Sequence, residues 1–125
     1  MKRSTNQRKA ILDTLERAEG PLSAEEIHFQ AQRLEPTLGI ATVYRQLKNL
    51  TNEKSLSVVH LPEQSTRFEL MSSKHHHHFF CESCENVFDI EGSCPVAALD
   101  GATLPSGFNV TSHRLTLYGV CSSCQ

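Results

Sequence analysis

The chain has 125 residues, 38% hydrophobic and 21% charged, with a formal net charge of −2 and five cysteines. That length makes one compact domain or two very small ones, and very small ones usually need a staple beyond their apolar core. No apolar run approaches the roughly 20 residues of a membrane span, and Met1-Lys2-Arg3 runs into a polar stretch where a secretory signal would be apolar, so a cytoplasmic protein without membrane contact is expected. Charge is unevenly spread: Met1 to Leu56 carries nine Lys and Arg against seven Asp and Glu, the remainder three against seven. Basic groups able to meet phosphates are concentrated at the front.

Ser4 or Thr5 can cap a first helix carrying Ile11, Leu12, Leu15 and Ala18, which Gly20-Pro21 stops. Ser23 with Glu26 three residues on is a capping box for a second helix through Leu34, closed by Pro36. A third helix is predicted from about Ile40 to Asn52, with Val43, Leu47 and Leu50 inward. Leu56 to His60, the turn Pro62-Glu63-Gln64 and Arg67 to Leu70 then form a hairpin. Three short helices followed by a two-stranded ribbon describe a winged helix-turn-helix, whose third helix lies in the major groove of DNA. The exposed face of that helix offers Thr42, Tyr44, Arg45, Gln46, Lys48 and Asn49 to phosphates or base edges. Periodicity alone fits the solvated helix of a protein-interaction domain equally well.

The second half reads as a strand from His75 to Cys81, a strand from Val87 to Ile90, a short helix around Val96 to Leu99, and a strand from Phe108 to Tyr118. Two Cys-x-x-Cys pairs, Cys81 with Cys84 and Cys121 with Cys124, can close a tetrahedral thiolate shell around one zinc ion. The 36 residues between the pairs leave room for a strand, a helix and a returning strand, so the ion would staple the end of a small domain to its beginning. Two disulfides are the alternative, which a reducing compartment disfavours, and a thioredoxin-like redox pair would need a βαβ unit that is not visible. Cys94 reads as a plain small residue in a turn before Pro95. Within the run His75-His76-His77-His78, strand alternation puts His76 and His78 on one face and His75 and His77 on the other, so one run can feed two metal sites.

Gly39-Ile40-Ala41-Thr42-Val43-Tyr44-Arg45, Phe68-Glu69-Leu70, the histidine run ending three residues before Cys-x-x-Cys, and Leu117-Tyr118-Gly119-Val120-Cys121-Ser122-Ser123-Cys124 strongly resemble the ferric uptake regulator family. The resemblance spans nearly the whole chain. It implies a homodimeric bacterial repressor with an α+β architecture: a winged helix over residues 1–62, wing and hinge extending to about 73, and a dimerisation domain over 74–125. It further implies a structural zinc at the four cysteines and a regulatory divalent metal between the domains. By the same resemblance Tyr44 and Arg45 contact an inverted-repeat operator in double-stranded DNA, and Arg3 enters the minor groove. Glu69, His76, His78 and Asp89 match regulatory ligands. His75, His77 and His113 fall where some members have a third metal site, whose usual acid is Val96 here, so that Glu91 or Asp100 would have to substitute.

The chain departs from the family pattern at Pro21, where many iron and peroxide regulators place a histidine of the DNA-binding domain. His60 is the expected replacement, a region from which zinc regulators draw a ligand, although Leu70 and Met71 stand where several of those have a cysteine. Histidine nitrogen and carboxylate oxygen suit Zn2+, Fe2+ or Mn2+. Two rivals are a zinc hydrolase using Glu69 or Asp89 as general base and a histidine-rich metal-storage module. Neither needs Tyr44-Arg45 on a basic helix, and no nucleophile elbow, phosphate loop or His-Glu-x-x-His helix is present, so a non-enzymatic regulator is the expectation.

Overall fold

The computed structural model describes the chain except for Met1, residues 72–75, Gly92, Ser93, Pro95 and the side chains of residues 2–4. Its elements are α1 (Lys2–Arg17), β1 (Leu22–Ser23), α2 (Ala24–Ala31), α3 (Ile40–Asn52), β2 (Leu56–Val59), β3 (Arg67–Leu70), β4 (His77–Cys81), β5 (Val87–Ile90) and β6 (Thr116–Gly119), with 3-10 turns at Ala97–Leu99 and Ser122–Cys124. They form two compact units, Met1–Ser73 and Lys74–Gln125.

In the first unit, Ile11 and Leu15 of α1, Ile27 and Ala31 of α2, and Val43, Leu47 and Leu50 of α3 are buried in one core, as their helical spacing requires. α1 begins before the expected Ser4 or Thr5 cap, so neither residue caps it. The box at α2 is complete: Glu26 N–H donates to Ser23 Oγ at 3.2 Å, and Ser23 N–H donates to Glu26 Oε1 at 2.9 Å. The regular part of α2 stops at Ala31, short of Leu34, and His28 Nε2 bonds the Leu38 carbonyl at 2.8 Å, tying α2 to the approach of α3. α3 opens at Gly39 and exposes Tyr44, Arg45, Lys48 and Asn49 on the face away from the core.

The hairpin β2–β3 pairs in antiparallel register, Ser57 opposite Glu69 and Val58 opposite Phe68. β1 adds a third strand on the far side of β3, Leu22 opposite Phe68. A two-residue strand is too short for an alternation signal, and the sequence reading missed it.

In the second unit β4 is the central strand, antiparallel to β5 and parallel to β6. The strand expected from Phe108 to Tyr118 is shorter: β6 occupies only Thr116–Gly119, and the preceding segment contributes one bridge, Thr103 to Asn109. Gly107, just before this segment, has φ +89°, a left-handed conformation that turns the chain there. The buried apolar residues described in this unit are Phe80, Cys81 and Val87, a small core for its length.

Candidate metal centres

The parallel pairing of β4 and β6 sets Cys81 opposite Gly119, and both strands then lead into a Cys-x-x-Cys turn. The backbone N–H groups of Cys84 and Cys121 each point at Cys81 Sγ, at 3.4 Å. Glu85, at φ +62°, lets the first turn close, its N–H donating to the Cys81 carbonyl at 2.8 Å. All four sulfurs lie within 4.8 Å of one another, and Cys84 Sγ is 3.9 Å from Cys121 Sγ. A tetrahedron with bonds of about 2.3 Å from zinc to sulfur has edges of about 3.8 Å, so the donor set fits zinc. The N–H donors of Cys84 and then Cys121 lower the Cys81 thiol to about 6. Cys124 is pushed up to about 12, because its thiol shares its proton with the sulfurs of Cys121 and Cys84. Four thiolates crowd together stably only around a cation.

A second cluster spans one face of β4 and β5. His78 stands opposite Asp89 in the register, with Nε2 3.5 Å from Asp89 Oδ1, and His76 Nε2 is 3.9 Å from the same oxygen. The two imidazoles meet nearly edge to face, 5.1 Å between centroids. Thus the alternation expected along the histidine run brings His76 and His78 together, and Asp89 with them. Two nitrogens and one oxygen leave coordination positions for donors from elsewhere. Glu69 lies on β3 and the exposed His60 just after β2, both in the first unit.

The opposite face of β4 holds a third group. His77, buried, has Nε2 3.0 Å from Cys94 Sγ, and Cys94 Sγ is 3.2 Å from His113 Nε2. The reading of Cys94 as a plain turn residue is corrected: its sulfur sits between two imidazoles. Asp100 does join, but behind the histidine, accepting from His113 Nδ1 at 2.9 Å, while Glu91 is exposed. His75 lies outside the described residues. The missing acid at Val96 was the available clue, since Cys94 is two residues upstream of it.

On α3, Arg45 donates to Thr42 Oγ1 at 3.1 Å, and the Tyr44 hydroxyl donates to the Glu25 carboxylate, which raises the Tyr44 pKa. Gln46 is corrected: it is buried, because it follows Val43 by three residues on the inward stripe. The side chain of Arg3 lies outside the described residues.

Clusters of cysteine, histidine and aspartate in one unit, and an exposed, donor-rich helix in the other, define a metal-binding protein of mixed helix and sheet. The sequence pattern of the Ferric uptake regulator family matches residues 2–118, and the chain belongs to that family. A ferric uptake regulation protein of Campylobacter jejuni is 32% identical over 124 residues, covering 96% of this chain and 78% of that one. A zinc uptake regulation protein of Mycobacterium tuberculosis is 31% identical over 123 residues, covering 98% and 95%. Among solved structures, a zinc-bound manganese uptake regulator superposes with a TM-score of 0.79 at 26% identity, covering 92% of this chain and 87% of that one.

Proposed function

We propose that the chain is a metal-responsive transcriptional repressor that acts as a homodimer on an inverted-repeat DNA operator and controls genes of metal uptake. The observation that carries this reading is the cluster of His76, His78 and Asp89 on the second unit, a set of borderline donors that suits a divalent ion. Glu69 and His60, from the first unit, complete it in this proposal, and Pro21 explains why His60 takes the part. A divalent ion bound there supplies a link between the units that favours one arrangement of the DNA-reading surfaces.

Within that reading the first unit is a winged helix-turn-helix: α3 is the reader, β2 and β3 the wing. Thr42, Tyr44 and Arg45 face the operator, with Arg3 entering the minor groove. Glu25 holds the Tyr44 hydroxyl in the free protein and must release it to a phosphate on binding. The four cysteines hold structural zinc, as their sulfur spacing supports. Leu104, Phe108, Leu117, Tyr118 and Val120 are exposed apolar residues of the second unit, and a second copy of the chain covers them.

Relatives are named for ferric, zinc and manganese uptake, and the nitrogen and oxygen donors of this chain accept Zn2+, Fe2+ and Mn2+ alike. The test is operator binding by protein that keeps its cysteine-bound zinc but is stripped of other metal, titrated separately with each of the three ions. One ion should raise affinity strongly. Equal DNA binding with and without all three would overturn the proposal.

A further inference from the structure

We infer that Cys94 stands in for the missing acid at the position of the third metal site, its thiolate binding, together with the Nε2 atoms of His77 and His113, a borderline-soft cation such as zinc. The three donor atoms come from separate segments: β4, the connection after β5, and the approach to β6. Their nitrogen-to-sulfur separations of 3.0 and 3.2 Å lie close to the edge of about 3.5 Å expected for a tetrahedral zinc with imidazole and thiolate ligands.

Asp100 makes the arrangement more than a chance meeting. It accepts from Nδ1 of His113, so a neutral His113 carries its proton there and turns a bare Nε2 lone pair toward the sulfur. That is the outer partner which metal-bound histidines use to fix tautomer and ring direction. His77 is buried and Cys94 partly so, and burying two imidazoles beside a thiol is costly unless every polar atom finds a partner. Strand alternation separates this face of β4 from His76 and His78, so the two histidine clusters cannot share one ion.

The sulfur sets the selectivity. A thiolate favours zinc over Fe2+ and Mn2+, whereas the cluster of His76, His78 and Asp89 has no sulfur. Binding displaces the Cys94 thiol proton to solvent and forms one metal–sulfur and two metal–nitrogen bonds. The site therefore makes no use of the proposed regulatory cluster, and its test reads a different signal. Without an ion, one thiol proton and one imidazole proton could link the three groups as a hydrogen-bonded chain, and the experiment must separate these cases.

Full-length protein with its cysteine-bound zinc retained is titrated with Co2+, zinc content being measured throughout. A thiolate-to-cobalt charge-transfer band should appear without release of zinc. It should survive in His76→Ala/His78→Ala and vanish in Cys94→Ser, while Cys94→Asp keeps bound cobalt but lacks the band. In unmodified protein, alkylation mapped residue by residue should show added Zn2+ shielding Cys94, a readout that needs no variant to fold. Absence of both band and shielding, or a band undiminished in folded Cys94→Ser, would overturn the assignment in favour of a hydrogen-bonded chain. Failure of metal-dependent DNA binding would leave this result unchanged.

Discussion

Arg67 shows how far a single side chain can depart from what its place in the sequence suggests. It is a basic residue at the start of a short hairpin strand, yet it is buried, with Nη1 donating to Glu26 Oε1 at 2.8 Å and to the Pro21 carbonyl at 3.2 Å. Glu26 is the same carboxylate that accepts from Ser23 in the capping box, so Arg67 fastens β3 to the start of α2. Removing the guanidinium leaves the carboxylate without its cation and the carbonyl without a donor. Arg67→Met should therefore destabilise the first unit by roughly 2 to 3 kcal/mol, a hydrogen-bonded, largely desolvated charge being worth about that much. Urea unfolding followed by helix content checks it, and a loss below about 0.5 kcal/mol, typical of an exposed position, would refute the tie. The capping box was legible because its partners are three residues apart. Arg67 with Glu26, and Cys94 with His77 and His113, are pairings across the chain that no local pattern announces.

At the scale of elements, α3 was readable to its ends, because an unbroken apolar stripe of Val43, Leu47 and Leu50 fixes both its period and its face. β1 and the irregular approach to β6 were not, since pairing with a distant strand creates the first, and only the last part of the second, Thr116–Gly119, finds a partner strand in β4. The role proposed for the exposed face of α3 rests on the donors there. Arg45→Ala should weaken operator binding and flatten the dependence of log affinity on log salt by about one unit, the signature of one lost phosphate contact. Tyr44→Phe should also weaken it, with metal content unaltered in both variants. Fluorescence anisotropy at several salt concentrations measures this, and identical slopes for Arg45→Ala and unmodified protein would remove α3 from the role of reader.

The whole molecule divides its stability unequally. The first unit has a continuous apolar core, whereas the second, a unit of about 50 residues, buries few described apolar side chains, too few to hold a fold of that size unaided. Structural zinc contributes folding free energy directly, so Cys81→Ser or Cys124→Ser should unfold the second unit and abolish dimerisation. The first unit should keep its helical signal and a separate melting transition. Scanning calorimetry with sedimentation would decide it, and an intact dimer with one zinc fewer would show that the sheet stands without the metal.

The last question at this scale is what joins regulation to DNA reading. Pro21 deprives the chain of a histidine in the usual place, and a metal held by the second unit alone could not alter how the reading helices are presented, because a ligand shifts only an equilibrium whose two states it binds differently. Swinging a population from one part in a hundred to ninety-nine needs on the order of 5 kcal/mol of differential affinity, which a metal can supply only through ligands gained in one state and absent in the other. His60 is proposed to be such a ligand, and Glu69 another. His76→Ala/His78→Ala should abolish metal-dependent operator binding outright and leave the cysteine-bound zinc in place. His60→Ala should be more selective, retaining metal at His76, His78 and Asp89 at reduced affinity, retaining the dimer, and losing most of the rise in operator affinity that metal produces. Parallel titrations of metal binding and of operator binding separate these effects. A His60→Ala protein with an undiminished response to metal would show that the link between the units is made by another group.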